Sequence, residues 1–406
     1  MARMAGTPGT PRVLRAMNDR AALDLLLEHG TLSRTRIGKL TGLSKPTASQ
    51  LLARLEAAGL VQVTGTTAGR PGPNAQLYSV NPNAAHVAGL DVNTERIRAA
   101  VADITGRTVG SYRLPTPHRR AGSAVEQVVQ ALDGAVKAAG LGRSDLHRVV
   151  IGTPGAFDPS TGRLRYASHL PGWHSPALLD ELAAALPLPL EYDNDVNLAA
   201  VAEQRIGAAR GHEDFVLLWN EEGIGAAIVI GGRLHRGWTG GAGEVGFLPV
   251  PGTPLVRNVT KANNGGFQEL AGCNAVLRIA RELHIEQPPG TLPDAAAALL
   301  ADAGERYEAG EESGAHAELL ARCATGHAVG LASMVAVLDP ELIVLSGDVI
   351  TAGGEPLRAM IQAELAELAV PRPRLVLGTV QTHPVLNGAL ESALATTRDE
   401  VFDTSR

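Results

Sequence analysis

Cysteine is scarce: Cys273 and Cys323 are the only two in 406 residues. Two thiols cannot build a Cys-rich zinc site or a disulfide framework, so each reads as a small buried hydrophobe and no structural metal is expected. Aromatic residues reach only 3%, which leaves the cores to Ala, Leu and Val. No apolar run approaches the roughly 18 residues of a membrane span. The opening MARMAGTPGTPR lacks the apolar segment of a secretory signal. A cytoplasmic protein without membrane contact is expected. The composition, 45% apolar and 19% charged with Gly and Pro dispersed, is globular. At roughly 100–200 residues per domain the length predicts two to four domains.

Basic charge is confined to one end. Residues 1–75 carry ten Lys/Arg against four Asp/Glu, or +6, and the remainder carries 26 against 38, or −12. One terminal segment therefore suits a polyanion that the rest would repel.

In that segment, Val13, Ala16, Ala22, Leu23, Leu25, Leu26 and Leu27 suit a helix from Arg12 to His29, stopped by Gly30. Ser33 can cap a second helix with Ile37 and Leu40 inward, and Gly42 makes the turn. Ser44 can cap a third helix with Pro46 in its first turn. There Ala48, Leu51, Leu52 and Leu55 recur at helical spacing, leaving Lys45, Thr47, Ser49, Gln50 and Arg54 on other faces. A short-chained polar face of this kind fits a major groove about 12 Å wide. An ordinary amphipathic helix in a small bundle is the alternative.

Val61-Gln62-Val63, a turn-rich stretch from Thr64 to Asn74, and Leu77-Tyr78-Ser79-Val80 read as strand, tip, strand, a wing. Arg70, held in Gly69-Arg70-Pro71-Gly72-Pro73, can enter a minor groove or lie on phosphates. A flexible linker with an incidental Arg is the alternative. We assign Lys45, Thr47, Ser49 and Gln50 to candidate base contacts, and Arg54 and Arg70 to phosphate or minor groove.

Beyond Asn81-Pro82, strand-like runs such as His86 to Leu90, Arg148 to Gly152 and Leu342 to Leu345 alternate with Ala-rich helices, an α/β pattern. Hairpin-like turns at Asp103-Ile104-Thr105-Gly106 and Gly231-Gly232-Arg233 lie about 130 residues apart, which predicts two related lobes with a cleft between them.

Five motifs occur in family order: Thr153-Pro154-Gly155-Ala156-Phe157-Asp158, Leu170-Pro171-Gly172-Trp173, Asp193-Asn194-Asp195-Val196-Asn197, Gly207-Ala208-Ala209-Arg210-Gly211 and Gly240-Gly241-Ala242-Gly243-Glu244-Val245-Gly246. They closely resemble the ROK family of sugar kinases and sugar-responsive repressors, from about residue 84 to 395. The winged helix-turn-helix in front resembles that of the repressor branch. The resemblance implies an α/β fold: an N-terminal winged helix-turn-helix plus a two-lobed actin-like, hexokinase-type ROK domain. The expected boundaries are 1–80 for the reader, 81–194 for the first lobe and 195–384 for the second, with a helix at about 385–400 packing back on the first.

By resemblance, Asp195 matches the family general base, although Asn194 or Asp195 can equally cap the helix that follows. The phosphate loops depart from the family. Asp-x-Gly-Gly-Thr-Lys becomes Asp91-Val92-Asn93-Thr94-Glu95-Arg96, Gly-Thr-Gly-Ile-Gly becomes Glu221-Glu222-Gly223-Ile224-Gly225, and Gly-Gly-Gly becomes Ser346-Gly347-Asp348. Glu95, Glu221 and Glu222 are then expected where triphosphate oxygens would sit. Two unit charges at 4 Å repel by about 4 kcal/mol at an effective dielectric near 20. Neither sugar kinase activity nor a nucleotide cofactor is expected.

Where the family has the His of its zinc site, this chain has Phe247, read as a packing residue, and no Cys precedes Cys273. His169 stands where the family commonly has Asn. The sugar-binding positions fall by resemblance on Asn194, Asp195, Glu244 and Glu269. Carboxylates accepting hydroxyl donors suit a polyol, and an acidic pocket favours a neutral sugar over a sugar phosphate. The same four residues can instead survive as salt-bridge or cap residues.

The resulting expectation is a repressor of carbohydrate-linked genes that binds a double-stranded DNA operator as a homodimer or homotetramer and responds to a sugar effector. Two alternatives are a bifunctional sugar kinase that also binds DNA, and a regulator whose decayed pocket has given way to a protein partner.

Overall fold

A computed structural model describes residues 11–66, 75–116, 123–158, 163–165, 173, 177–257 and 265–404. The chain begins with α1 (Pro11–His29), β1 (Leu32–Ser33), α2 (Arg34–Thr41), α3 (Lys45–Ala57), β2 (Val61–Thr66) and β3 (Gln76–Val80). Ser33 Oγ accepts the Arg36 N–H and Ser44 Oγ that of Thr47, so both short helices start at side-chain caps. Ala22, Leu23, Leu26, Ile37, Leu51, Leu52 and Leu55 fill one core.

Leu40 does not point inward; it is 37% exposed. Gly38 takes the place against α3 instead, where an added Cβ would lie 3.2 Å from Leu43 O and 3.6 Å from Ala48 Cβ. Val13, at 45%, is also exposed, because the first turns of α1 extend past the small core. β3 pairs antiparallel with both β1 and β2, which makes it the central strand of a small three-stranded sheet. The tip that carries Arg70 lies outside the described residues.

The first lobe contains β4 (His86–Val92), β5 (Arg96–Asp103), β6 (Thr108–Pro115), α4 (Ala124–Ala138), β7 (Leu146–Thr153), β8 (Ala156–Asp158), β9 (Arg163–Arg165), α5 (Leu178–Ala185) and β10 (Leu190–Asn194). Then come α6 (Asp195–Ile206), β11 (Phe215–Asn220), β12 (Ile224–Ile230), β13 (Arg233–Leu234), α7 (Gly266–Ala271), α8 (Cys273–Glu282), α9 (Leu292–Glu308), α10 (Ala315–Leu338), β14 (Leu342–Ser346), α11 (Asp348–Ala352), α12 (Gly354–Leu368), β15 (Arg374–Leu377) and α13 (Pro384–Val401).

Among the described residues, the two large sheets run β10-β7-β4-β5-β6 and β13-β12-β11-β14-β15. Each joins an antiparallel hairpin to parallel strands, the same plan used twice. α10 is long and apolar enough to cross a membrane, but more than half of it is buried inside the second lobe. Cys273 and Cys323 are buried there as free thiols.

α6 belongs to both lobes, so the boundary expected before Asp195 falls at the start of a shared helix. Its Leu198 joins the first-lobe core with Val87, Val150 and Leu386, while Val196, Ala199 and Ala200 pack on Phe215, Leu217 and Val229 of the second sheet. At its far end Glu203, fully buried, accepts N–H bonds from Ala208 at 2.6 Å and Val380 at 2.8 Å. One carboxylate thereby clamps the two chain segments that pass between the lobes.

α13 lies on β4, β5 and β7 and along α6. The helices approach so closely that a Cβ on Gly388 would sit 1.8 Å from Leu198 O. Gly388→Ala is expected to lower the Tm by several degrees, equivalent to about 1–3 kcal/mol of overpacking. Gly223→Ala, whose nearest neighbour would be 3.9 Å away, should leave it unchanged. Thermal unfolding of the pair checks this, and equal Tm values would contradict it.

Candidate functional site

The motif from Asp193 to Asn197 turns β10 into α6, the helix that both lobes share. Asn194 caps α6: its Oδ1 accepts the N–H groups of Val196 at 2.9 Å and Asn197 at 3.3 Å, and its Nδ2 donates to Gly155 O at 3.0 Å. Bonds to described residues use three of its four hydrogen-bonding positions. Asp193 Oδ1 accepts Asn197 Nδ2 at 2.8 Å, and its Oδ2 accepts Arg236 Nη2 at 2.6 Å from the opposite lobe.

Asp195 is mostly buried and accepts the Val196 N–H at 2.8 Å. Burial above all, reinforced by Asp91, Glu221 and Glu244, pushes its carboxyl up to about 8. Burial with Asp348, Glu222 and Asp91 nearby raises Glu221 to about 7. Glu244 is raised by burial too, and so is Asp91, against the opposing pull of Arg98 at 3.4 Å. Asp195 on α6 and Glu221 after β11 therefore hold protons near neutrality, at about 8 and about 7. Protonated, Asp195 can donate a hydrogen bond; ionised, it can accept a hydroxyl proton.

Glu95 does not join this group. It pairs with Arg96 at 2.8 Å and keeps 60% of its side chain exposed, because the turn aims it outward. Glu269 is half-buried on α7, next to Gln268.

Both former phosphate loops are closed on themselves. Asn93 Oδ1 accepts the N–H groups of Glu95 at 3.0 Å and Arg96 at 2.9 Å, donors that a phosphate loop would leave for its ligand. In the second loop the Glu221 N–H bonds Gly223 O at 3.2 Å, and Gln268 Oε1 takes the Ile224 N–H at 2.6 Å. Gln268 was legible only as part of a motif, since nothing in its spacing marks it as the partner of a loop forty residues away. At Gly347 a Cβ would lie 2.5 Å from Asn220 O, and Asp348 opens α11 facing Glu221. Phe247 sits half-buried in a short turn from Val245. Among the described residues no group of three or more His, Cys, Asp or Glu is arranged to hold a metal ion. His169 and Leu170 to Gly172 lie outside the described residues, whereas Trp173 is buried in the first-lobe core.

On the reader, Lys45, Thr47 and Gln50 are exposed on α3, and Ser49, half-buried, donates to Lys45 O at 2.9 Å. Arg54 has an internal partner: its Nη2 bonds Asp19 Oδ1 at 2.7 Å. Asp19, 3% exposed, also accepts Thr404 Oγ1 at 3.1 Å. Arg20 bonds Asp399 at 2.7 Å, and its guanidinium lies 5.8 Å from the centre of the Phe402 ring. Phe402 and Ile104 are part of the reader's own core. The end of α13 is therefore built into the winged domain.

Fold and site define a DNA-reading type of winged helix fastened to a two-lobed, sugar-kinase-like body. Residues 87–391 match the ROK family and residues 17–70 the MarR family. A glucokinase of Halalkalibacterium halodurans is 30% identical over 70% of this chain and 86% of its own. A putative xylose repressor of Caldicellulosiruptor sp. is 25% identical over 83% of this chain and 84% of its own. A solved ROK family transcriptional regulator, described as a homologue of the E. coli MLC protein, shares the fold with a TM-score of 0.69. It is 18% identical and covers 94% of this chain and 96% of its own. The chain belongs to the ROK family, and its MarR-like winged helix places it with the repressor branch.

Because Asp195 binds its proton more tightly folded, at about 8, than at its ordinary 3.8, its protonated form favours the folded state. That contribution is full below the unfolded value and is lost as pH rises toward 8. Asp195→Asn should therefore flatten the fall in Tm across that window and leave the variant the more stable protein at its upper end. Parallel Tm profiles for variant and wild type would contradict this.

Proposed function

We propose that this chain is a repressor of carbohydrate-linked genes that binds a neutral sugar in its interlobe cleft without phosphorylating it. The observation that carries the reading is the self-satisfied state of both phosphate loops, whose N–H donors are taken by Asn93, Gly223 and Gln268. A triphosphate arriving there finds occupied donors and Glu221, Glu222 and Asp348 in place of glycine backbone. Repulsion is smaller than full formal charges would give, since burial keeps part of this group protonated, so the loss of donors is the weightier term.

Asp195 and Glu244, with the remaining donor of Asn194, offer a polyol both acceptors and acid protons. Glu269 is the fourth proposed contact. The putative xylose repressor among the relatives supports a sugar-responsive reading. The reader meets a palindromic operator as a homodimer or homotetramer, with Lys45, Thr47, Ser49 and Gln50 facing bases and Arg54 and Arg70 facing phosphate or the minor groove. Sugar binding at the start of α6 reaches the reader through α13, by favouring one closure angle of the lobes.

A second reading, a sugar kinase that also binds DNA, is favoured by the 30% identical glucokinase. One experiment separates them: the purified full chain is given a selected duplex, a sugar panel and MgATP. The expected outcome is sequence-selective binding with no ADP released. Gln50→Ala should reduce discrimination between operator and random duplex by about 1–3 kcal/mol. Sugar-dependent ADP production, or a duplex preference that Gln50→Ala leaves intact, overturns the reading.

A further inference from the structure

We propose that Asp19 is a hidden counter-charge that limits how tightly Arg54 holds DNA, and that Thr404, near the other end of the chain, sets the strength of that restraint. The inference rests on the reading of α3 as the helix that faces DNA.

Arg54 continues the stripe of Thr47 and Gln50, at i, i+3 and i+7 along α3. Its Nη2 donates to Asp19 Oδ1 at 2.7 Å. The two partners are unequally exposed: 41% of the Arg54 side chain meets water, against 4% for Asp19. The pair therefore presents its cation outward and keeps its anion inside. Arg20 differs, because the two acids it bonds, Asp24 and Asp399, are themselves at the surface, with 51% and 71% of their side chains exposed.

A charge buried in this way acts strongly on what approaches it. Exposed charges are screened by salt over about 10 Å, but buried ones much less. A phosphate drawn to Arg54 also meets the field of the carboxylate directly behind it, and like charges at that range repel appreciably. Buried ion pairs add little net stability over apolar packing. An acid placed beneath this arginine is better accounted for by what it does to the outward charge.

The second oxygen of Asp19 is also in use. Thr404 Oγ1 donates to Oδ2 at 3.1 Å, and Phe402, two residues earlier, is anchored in the core of the winged domain. While this end of the chain is seated, Asp19 holds Arg54 by one oxygen. With Thr404 withdrawn, both oxygens are open to the two-pronged grip between carboxylate and guanidinium, which is the stronger arrangement. The tail thus decides whether Arg54 is held loosely enough to reach phosphate or tightly against α1.

Three full-chain variants test this: Asp19→Asn, Thr404→Val and the two combined. Each is titrated onto a duplex selected by the wild-type chain and onto a random duplex, between about 50 and 200 mM salt, with Tm measured in parallel. Asp19→Asn leaves behind a half-exposed, hydrated arginine, so the Tm should move little. It should tighten both duplexes about three- to ten-fold and steepen the fall of log K with log salt by about 0.9, the share of one phosphate contact. Thr404→Val should act in the opposite direction, weakening both duplexes about three-fold, and should have no effect once Asp19→Asn is present. Unchanged binding by either single variant overturns the inference, as does weaker binding by Asp19→Asn or a Thr404→Val effect that persists in the double variant. Thr404→Val keeps the Asp19–Arg54 pair and decides the matter by itself should Asp19→Asn not fold. If the wild-type chain selects no duplex at all, the reading of α3 fails and the inference with it.

Discussion

The contact between Gly388 and the carbonyl of Leu198 is the constraint on which the rest of the molecule depends. With no side chain at that point, α13 lies directly on the backbone of α6, and the two helices form one layer. The front end of α6 holds Asn194 and Asp195, and its far end is clamped by Glu203 where the chain crosses between lobes. The far end of α13 supplies Phe402 to the reader's core and Asp399 to Arg20. Packed helices have discrete arrangements and do not deform continuously, which supports the proposed transmission of a change at the start of α6 to the winged domain.

Inside the cleft, a phosphate cradle works because its backbone N–H groups are left unpaired until a ligand arrives. Here Asn93 and Gln268 pair them in advance, and the glycines that would bring phosphate close are replaced by acids. Burial raises Glu221 to about 7 and, on α6, Asp195 to about 8, which lets these carboxyl groups share a small space. This arrangement supports the proposed preference for a hydroxylated, uncharged ligand over a triphosphate. The winged domain is arranged in the same economical way: Arg54, on the helix proposed to face DNA, satisfies the buried carboxylate of Asp19.

Much of this was legible in the sequence wherever the cause was local. Ser33 and Ser44 announced their helices because a cap acts within three residues, and Ala48, Leu51, Leu52 and Leu55 marked the buried face of α3 by spacing alone. The motifs from Thr153 to Gly246 identified the two-lobed body. What escaped detection depended on partners distant in the chain. Leu40 was read inward because periodicity does not register that Gly38 lets α3 approach more closely. Glu95 was placed among the cleft acids because a loop alignment does not say which way a turn aims its side chain. Glu203, Gln268 and the Asp19–Arg54 pair have no signature, since each is defined by a contact with residues that only folding brings near.

The coupling of cleft to reader through α6 and α13 is tested most directly by hydrogen–deuterium exchange of the full chain, with and without a sugar that raises its Tm. The expected result is that protection changes in α6 and, together with it, along α13 and in α1. A change confined to α6 and the cleft loops, with α13 and α1 exchanging as before, would contradict it.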